Sequence, residues 1–394
     1  MTIEFNWYLP THGDGRHLAN SGSGNNHSDS QSLPHANGGF RHATPDYLAQ
    51  VAQAAEWAGF HAALIPTGAA CHDAWLVAAG LARETSRLKF LVAFRPGMVL
   101  PAVAAQTVQT LDAFSGGRVL LNVVTGGSQA EQRGYGDFLD HDQRYARTDE
   151  FLEVVKRVWR GRGERGVDFT GEHYRLEGGG LLKPLTAPAI YFGGSSPAAE
   201  RVAAKHADVY LQWGEPPEQF TANIARVRAL AAAQGRRLRF GYRVHVIARD
   251  TEAEAWNEAE RLLREVPHEV IEQAQRQLAA SQSVAQARMR ALHHGRAAVE
   301  NVRDLEVSPN LWAGIGLVRG GAGTAFVGSH RQVAERFAEY HDLGIDSFIL
   351  SAYPNLEEAV RVGEEVLPLV PLVLRQAQPV SARSNPVPAP VPVS

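Results

Sequence analysis

The sequence predicts an α/β fold of the (β/α)8 TIM-barrel class, and three observations lead there. Short β-rich runs, about eight of them, recur along the chain between Gly, Pro or polar residues. Helical patterns fill the intervals, so strand and helix alternate throughout. Several of the runs are almost wholly apolar, as strands covered on both faces are.

Taken in order, the first run is Phe5–Thr11, where Phe5, Trp7 and Leu9 alternate with Asn6 and Tyr8. A long segment follows, His17–Ala43, rich in Gly, Asn, Ser and His, and reads as a loop inserted after the first strand. Thr44-Pro45-Asp46 then supplies an N-cap, a proline at the first helical position and an acidic first turn. Leu48, Val51, Ala55 and Ala58 line one face of that helix before Gly59 ends it. Ala62–Thr67 and Leu88–Phe94 are the next strands, and Pro101–Phe114 is a helix stopped by Ser115-Gly116-Gly117. Val119–Thr125 is the fourth strand, and Gly126–Thr148 reads as a second insertion of mixed aromatic and charged residues. Strand Ala189–Gly194 with helix Pro197–His206 follows, then strand Val209–Trp213 with helix Gln219–Gln234. Strand Phe240–Ala248 precedes helix Glu252–Arg264 and a mostly helical third insertion, Glu265–Pro309, with Val270, Ala274, Leu278 and Ala279 on one face. Helix His330–Leu343, strand Ser347–Tyr353 and helix Leu356–Leu367 complete one domain over residues 1–375. The remaining 376–394 is a Pro/Val/Ala/Ser tail expected to be disordered. An open doubly wound sheet is the rival architecture, but no Gly-x-Gly-x-x-Gly turn follows the first strand.

Composition narrows the function classes. The 394 residues are 44% hydrophobic and 21% charged, typical of a globular chain. Lys+Arg number 39 against Asp+Glu 42, a net charge of -3, so no basic field draws the chain to nucleic acid or an anionic membrane. The single cysteine, Cys71, excludes an internal disulfide and a cysteine zinc cluster. Residues 1–15 lack a signal-peptide pattern, and the apolar Val366–Leu374 is interrupted by Pro368 and Pro371, so a cytoplasmic location is expected.

In a barrel of this class the active site forms at the C-terminal ends of the strands. Those ends read Pro10-Thr11-His12-Gly13-Asp14, Pro66-Thr67-Gly68, Arg95-Pro96, Asn122 to Gly127, Gly193-Gly194-Ser195-Ser196, Trp213-Gly214-Glu215, Arg243 with His245, and Tyr353. Gly193–Pro197 reads either as a phosphate cradle at a helix N-terminus or as a plain turn with a serine cap. Arg144-Tyr145 reads as a charge and a hydroxyl for the same phosphate, or as a surface pair. Arg243 and His245 share one face of the seventh strand, and cations pointing into a barrel mouth call for an anion or a carboxylate. Arg319 sits in a Gly-rich stretch that reads either as a hinge or lid or as a turn with a solvated arginine. His12 and Tyr353 are candidates for proton transfer or oxygen positioning. Cys71 adjoins His72 and Asp73, but neighbours on a helix point apart, which argues against a nucleophile–base dyad. No metal site is expected, because the first strand ends in Thr11-His12-Gly13 rather than His-x-His.

These residues resemble the bacterial luciferase-like flavin monooxygenases, and among them the alkanesulfonate monooxygenases. The resemblance runs to about Leu374 and rests on Pro10–Asp14, Ile65–Gly68, Cys71–Trp75, Asn122–Gly126, Tyr191–Ser196, Trp213–Pro217 and Ser308–Thr324. It implies reduced FMN supplied by an NAD(P)H-dependent FMN reductase, dioxygen as co-substrate, and cleavage of the C–S bond of a small organosulfonate to an aldehyde and sulfite. It further implies a homodimer or homotetramer. Asn122, Thr125, Arg144, Tyr145, Ser195 and Ser196 would hold FMN. His12, Cys71, Trp213, Arg243, His245, Arg319 and Tyr353 would line the substrate side, with Arg243 and Arg319 clamping the sulfonate, and 265–309 would be the lid. Related alternatives are the same flavin chemistry on a sulfone or other small molecule, and a deazaflavin-dependent oxidoreductase. The chain departs from the pattern at Ala69, Ala70 and His72, where Arg, Ser and Glu are usual, at Asn355, where His is usual, and in the length of the loop 17–43.

Overall fold

The computed structural model describes residues 3–18, 40–161, 166–181, 183, 185–294 and 299–377. Eight parallel strands close into a barrel: Glu4–Tyr8, Ala62–Ile65, Lys89–Phe94, Val119–Val123, Ile190–Gly193, Val209–Trp213, Arg239–Arg249 and Ser347–Ser351. The first strand pairs with the second and with the eighth (Phe5 beside Phe348), and the sixth pairs with the seventh (Leu211 beside Gly241), which completes the circle. That closure removes the open-sheet rival.

Alternation along each strand separates two cores. Tyr8, Leu64, Ala93, Leu120, Leu211 and Ile349 point inward and fill the barrel. Trp7, Ile65, Val92, Phe192, Tyr242 and Leu350 point outward and pack against the helices. At the N-terminal end, Glu4 accepts hydrogen bonds from Arg239 (2.7 Å) and Tyr191 (2.9 Å), stopping the barrel with a paired carboxylate. The functional chemistry is left to the other end.

Four barrel helices begin with proline at the first turn, Pro45–Trp57, Pro101–Ser115, Pro197–His206 and Pro217–Ala232, where the missing N–H costs nothing. Three helices escape the sequence pattern: Ala74–Leu81, the short Gln129–Gly134 and the long His141–Arg160, whose start is fixed by a reciprocal Asp140–Gln143 capping box. The second insertion is therefore shorter than Gly126–Thr148, and Arg144-Tyr145 lies on a helix rather than in a loop. Two short strands, Val167–Thr170 and Arg175–Gly179, form an antiparallel hairpin after it. The final helix of the reading divides into Asn355–Arg361, irregular turns around Pro368, and Val370–Ala377, so Gln376 and Ala377 are helical. Most of the first-insertion loop, 19–39, and the tail from 378 lie outside the described residues.

The seventh strand is twice the length of its neighbours because one of its edges is used twice. Arg239 N donates to Asp208 O and Gly214 N donates to Arg243 O, along the sixth strand. Beyond that point His245 N donates to Thr324 O, and a further parallel strand, Ala325–Ser329, continues along the same edge. Between Arg249 and Ala325 the chain builds helices Glu252–Arg264, His268–Ala279 and Val284–Leu292, a small antiparallel pair (Glu306–Ser308 with Leu311–Trp312), and the strap that carries Arg319. Among the described residues, no helix is long and apolar enough to cross a membrane.

Candidate functional site

The barrel mouth carries a cationic pocket built from strands seven, eight and one. Arg243 and His245 project inward from strand seven, Ser351 from strand eight and Tyr8 from strand one, and all are buried. The Arg243 guanidinium lies 4.8 Å from the centre of the Tyr8 ring, and its Nη1 donates to Ser351 Oγ at 2.9 Å. Arg319 enters from the strap, lies 5.4 Å from the same ring, and donates from Nη1 to the Tyr353 hydroxyl at 2.8 Å. Among the described residues, neither guanidinium has a carboxylate among its charged neighbours. Burial, and then the charge on Arg319, push the Arg243 pKa down to about 9, so an anion at this spot would relieve both effects.

His245 is held neutral. Burial, then Arg319 and Arg243, lower its pKa well below the usual imidazole range. Its ring stacks on Tyr353 with planes 8° apart and centroids 5.5 Å apart. Tyr8 Oη is 3.3 Å from His12 Nδ1, which joins His12 to the same pocket. Trp213, at the end of strand six, stands near Gly321 of the strap, and a Cβ on that glycine would be 4.0 Å from its ring. Arg243, His245, Arg319, Tyr353, His12 and Trp213 thus converge.

Cys71 lies at the rim, where burial raises its thiol pKa. Cys71-His72 precede the helix rather than lying on it. Asp73 is that helix's N-cap, accepting from Trp75 N (3.0 Å) and Leu76 N (2.9 Å). The His72 ring turns to the Ala43 carbonyl (3.1 Å), so no Cys–His dyad forms.

Across the mouth lies a second polar cluster. Ser196 caps helix Pro197–His206 by accepting from Ala199 N at 3.2 Å, and Glu200 N donates to the Ser196 carbonyl, so of the first-turn N–H groups only that of Ala198 is left over, four residues after a bend at Gly194. Gly194 has φ +142°, and a Cβ there would lie 2.7 Å from Ala199 Cβ and 3.0 Å from Tyr145 Oη. The Tyr145 hydroxyl engages Ser196 and Thr125, and burial raises its pKa, so it stays a neutral donor. Arg144 is 1% exposed, gives one bond to the Leu139 carbonyl (2.7 Å), and its Nε has no partner. Ser195 lies between these groups in sequence, near the Tyr210 hydroxyl. Asn122 ends strand four among inward-facing side chains. A bare backbone bend, a helix N-terminus, neutral hydroxyls and a guanidinium with donors to spare fit a phosphate.

The helices over the mouth are pinned to what they cover. Gln275 Nε2 donates to the carbonyls of Gly316 (3.1 Å) and Leu317 (2.7 Å), and Gln286 Oε1 accepts from Gly321 N (2.9 Å). Arg288 pairs with Glu215 at 3.0 Å, and Glu215 also accepts from Asn223 at 2.7 Å. Tyr8, Ser351, Gln275, Gln286 and Glu215 were not singled out by sequence reasoning. The usable signal was parity: Tyr8 and Ser351 lie at inward positions of their strands.

Three of the positions that depart from the family pattern, Ala69, His72 and Asn355, have defined local partners. Asn355 does not reach the cationic pocket. Its backbone N and Nδ2 donate to Asp14 (2.7 and 3.1 Å), and Asp14 also accepts from Tyr47 (2.6 Å). The pair ties the strand-one loop bearing His12 to the turn after Tyr353. Ala69 donates its backbone N–H to Glu131 (2.8 Å), which pairs with Arg95 at 2.6 Å.

Comparison with known proteins agrees with this architecture. The family model described as luciferase-like monooxygenase matches residues 3–347. The fold is similar to a riboflavin lyase with modified FMN and substrate riboflavin (TM-score 0.74, 21% identity, 94% of this chain and 92% of that one). It is also similar to EDTA monooxygenase from Chelativorans sp. BNC1 (0.71, 18%, 96% and 95%). A third similarity is to an F420-dependent secondary alcohol dehydrogenase in complex with an F420-acetone adduct (0.65, 16%, 94% and 99%).

Proposed function

The chain belongs to the luciferase-like monooxygenase family, and from that premise we propose that it is a two-component, FMNH2-dependent monooxygenase acting on a small organosulfonate. The observation that carries the reading is the pair of buried guanidiniums, Arg243 and Arg319, which form no ion pair with a carboxylate among the described residues. Two cations sharing one apolar-walled pocket are costly unless a strong oxyanion enters, and a sulfonate offers three oxygens to two planar donors.

Reduced FMN and dioxygen, when bound, supply the oxidising chemistry: sulfonate, O2 and FMNH2 become aldehyde, hydrogen sulfite, FMN and water. Thr125, Arg144, Tyr145, Ser195 and Ser196 would hold the FMN phosphate, and Asn122 would contribute to the flavin site. Arg243 and Arg319 bind and orient the sulfonate, so the carbon attached to sulfur is directed toward the flavin side. The Tyr353 hydroxyl accepts from Arg319 and keeps its own proton available as a donor. His245, held neutral, leaves the positive charge of the pocket on the guanidiniums. Helices His268–Ala279 and Val284–Leu292 exclude water from the mouth. An NAD(P)H-dependent FMN reductase in the same compartment, taken to be the cytoplasm, supplies the reduced flavin.

Exposed apolar side chains on two adjacent barrel helices, Leu76 (75% exposed) and Val103 (46%), with Leu100 (64%) beside them, support a homo-oligomer.

The test is direct: reduced FMN, oxygen and alkanesulfonates of graded chain length are supplied, and sulfite is measured. Absence of sulfite at every length, with FMN binding intact, overturns the sulfonate reading in favour of a sulfone or another small molecule. Turnover with reduced deazaflavin but not FMNH2 overturns the cofactor assignment.

A further inference from the structure

Beneath the cationic pocket runs a hydrogen-bonded chain whose proton positions are determined by its two ends. At one end the Ala322 carbonyl, 3.1 Å from His245 Nε2, can only accept, so Nε2 carries the imidazole proton. Neutral His245 then has a bare Nδ1, which must accept from Ser351 Oγ at 2.7 Å. With its one proton committed, Ser351 Oγ accepts from Arg243 Nη1 at 2.9 Å. The order Arg243 → Ser351 → His245 → Ala322 is the only arrangement that satisfies every member, and all the side chains in it are buried. The alternative acceptor for Arg243 Nη1, the Ile349 carbonyl, is 3.4 Å away.

The two ends of this chain belong to different parts of the site. Arg243 sits on the barrel wall. Ala322 sits on the strap, three residues from Arg319, and that strap is also held by Gln275 and Gln286 from the covering helices, by Arg319 on Tyr353, and by Thr324, whose Oγ1 donates to Gly214 O and whose carbonyl accepts from His245 N. Ser351 therefore stands where the fixed cation meets the one carried by the insertion.

We propose that Ser351 is a positioning residue: through His245 it holds the strap's Ala322 carbonyl in register with Arg243, and so sets the spacing of the Arg243–Arg319 pair. The consequence for substrate affinity rests on the sulfonate reading above; the hydrogen-bonded coupling does not. Removing the hydroxyl leaves Nδ1 bare and Arg243 Nη1 with a long second choice, which loosens the strap without touching the phosphate cluster.

The experiment compares wild type, Ser351→Ala and Ser351→Cys as full-length proteins, the cysteine keeping a weak donor at similar volume. Imidazole 15N spectra of histidine-labelled protein, with His245 assigned through His245→Gln, are expected to show an Nε2–H tautomer with a hydrogen-bonded Nδ1 in wild type. Ser351→Ala is expected to shift Nδ1 toward the unbonded position and to speed amide exchange over residues 315–323, with Ser351→Cys between. KM for octanesulfonate is expected to rise about tenfold in Ser351→Ala, as loss of one buried charge-assisted bond implies, while FMN affinity is retained. An unchanged Nδ1 signal or unchanged strap exchange in Ser351→Ala overturns the proposal whatever the substrate. Wild-type protein that does not turn over octanesulfonate or other alkanesulfonates overturns the sulfonate reading alone, and the two spectroscopic readouts still decide the coupling.

Discussion

Arg243 and Arg319 both lie against the ring of Tyr8, at 4.8 and 5.4 Å from its centre, although 76 residues of sequence separate them. Each cation–π contact contributes on the order of 1 kcal/mol, far too little to offset two desolvated charges. The pocket is therefore organised for something that arrives with negative charge.

Replacing Arg243 tests that organisation. Arg243→Ala is expected to raise KM for the sulfonate by at least about a hundredfold, the scale of a lost charge-assisted pair. FMN affinity, measured by fluorescence quenching, should change less than about threefold, because the phosphate cluster lies on other strands. Arg243→Lys should rescue poorly, since one ammonium cannot reproduce a planar fork. A large loss of FMN binding in either variant contradicts the assignment.

The phosphate cluster has its own signature. Ser196→Ala removes both a helix cap and a hydroxyl facing the cradle, so stability should fall by about 1 kcal/mol. FMN affinity should fall about tenfold alongside it. Gly194→Ala should be the more damaging, because φ +142° is strained for alanine and its Cβ would meet Ala199 and Tyr145. Tight FMN binding by Gly194→Ala would remove that bend from the site.

Cys71 should behave as a buried thiol rather than a nucleophile. Burial raises its pKa, so thiolate becomes abundant only above the ordinary thiol range. Alkylation by iodoacetamide, followed by mass spectrometry, should be slower at pH 7.5 than for a free cysteine peptide and should accelerate steeply beyond pH 9. Rapid labelling at neutral pH would refute this.

Part of the acid sensitivity can be assigned to Glu56. Burial works to raise the Glu56 pKa, but N–H groups of Leu88, Arg87 and Ser86 (2.7, 2.6 and 2.9 Å) hold it down to about 2. A depressed folded-state pKa stabilises above the unfolded value, and that contribution is lost as pH falls toward about 2. Glu56→Gln should therefore be less stable than wild type at pH 7 in urea titrations, with the gap closing between about pH 4.5 and 2. A gap that stays constant with pH would show that ionisation is not its source.

The exposed apolar side chains give a prediction about assembly. The double substitution Leu76→Glu with Leu100→Glu should yield a smaller species than wild type in sedimentation velocity. Equal sedimentation of the two proteins would place any subunit contact elsewhere.

Much of this molecule was legible in the chain, for reasons that differ by residue. Pro45, Pro101 and Pro197 mark helix starts by local chemistry alone, and Ser196 follows from Pro197. Arg243 and His245 announce a shared inward face by their two-residue spacing. Tyr8 and Ser351 were not legible, because their role depends on closure that sets strand one beside strand eight, across more than three hundred residues. Helix His141–Arg160 was obscured by its polar first turns, although Asp140 and Gln143 carried the capping signal. Asn355 stood out in the chain only as a departure from the family pattern, and its partner is Asp14, a long-range contact that no local pattern encodes.

The doubly used edge of the seventh strand has an evolutionary and practical meaning. The segment between Arg249 and Ala325 leaves and rejoins the barrel at neighbouring points on one strand, so it is a cassette with fixed plugs. Swapping it for the corresponding segment of a relative would exchange Arg319 and its covering helices in one step, and leave Arg243 and the phosphate cluster where they are. On the proposed reading, grafting this one contiguous stretch of chain would alter substrate range without redesigning the wall it plugs into.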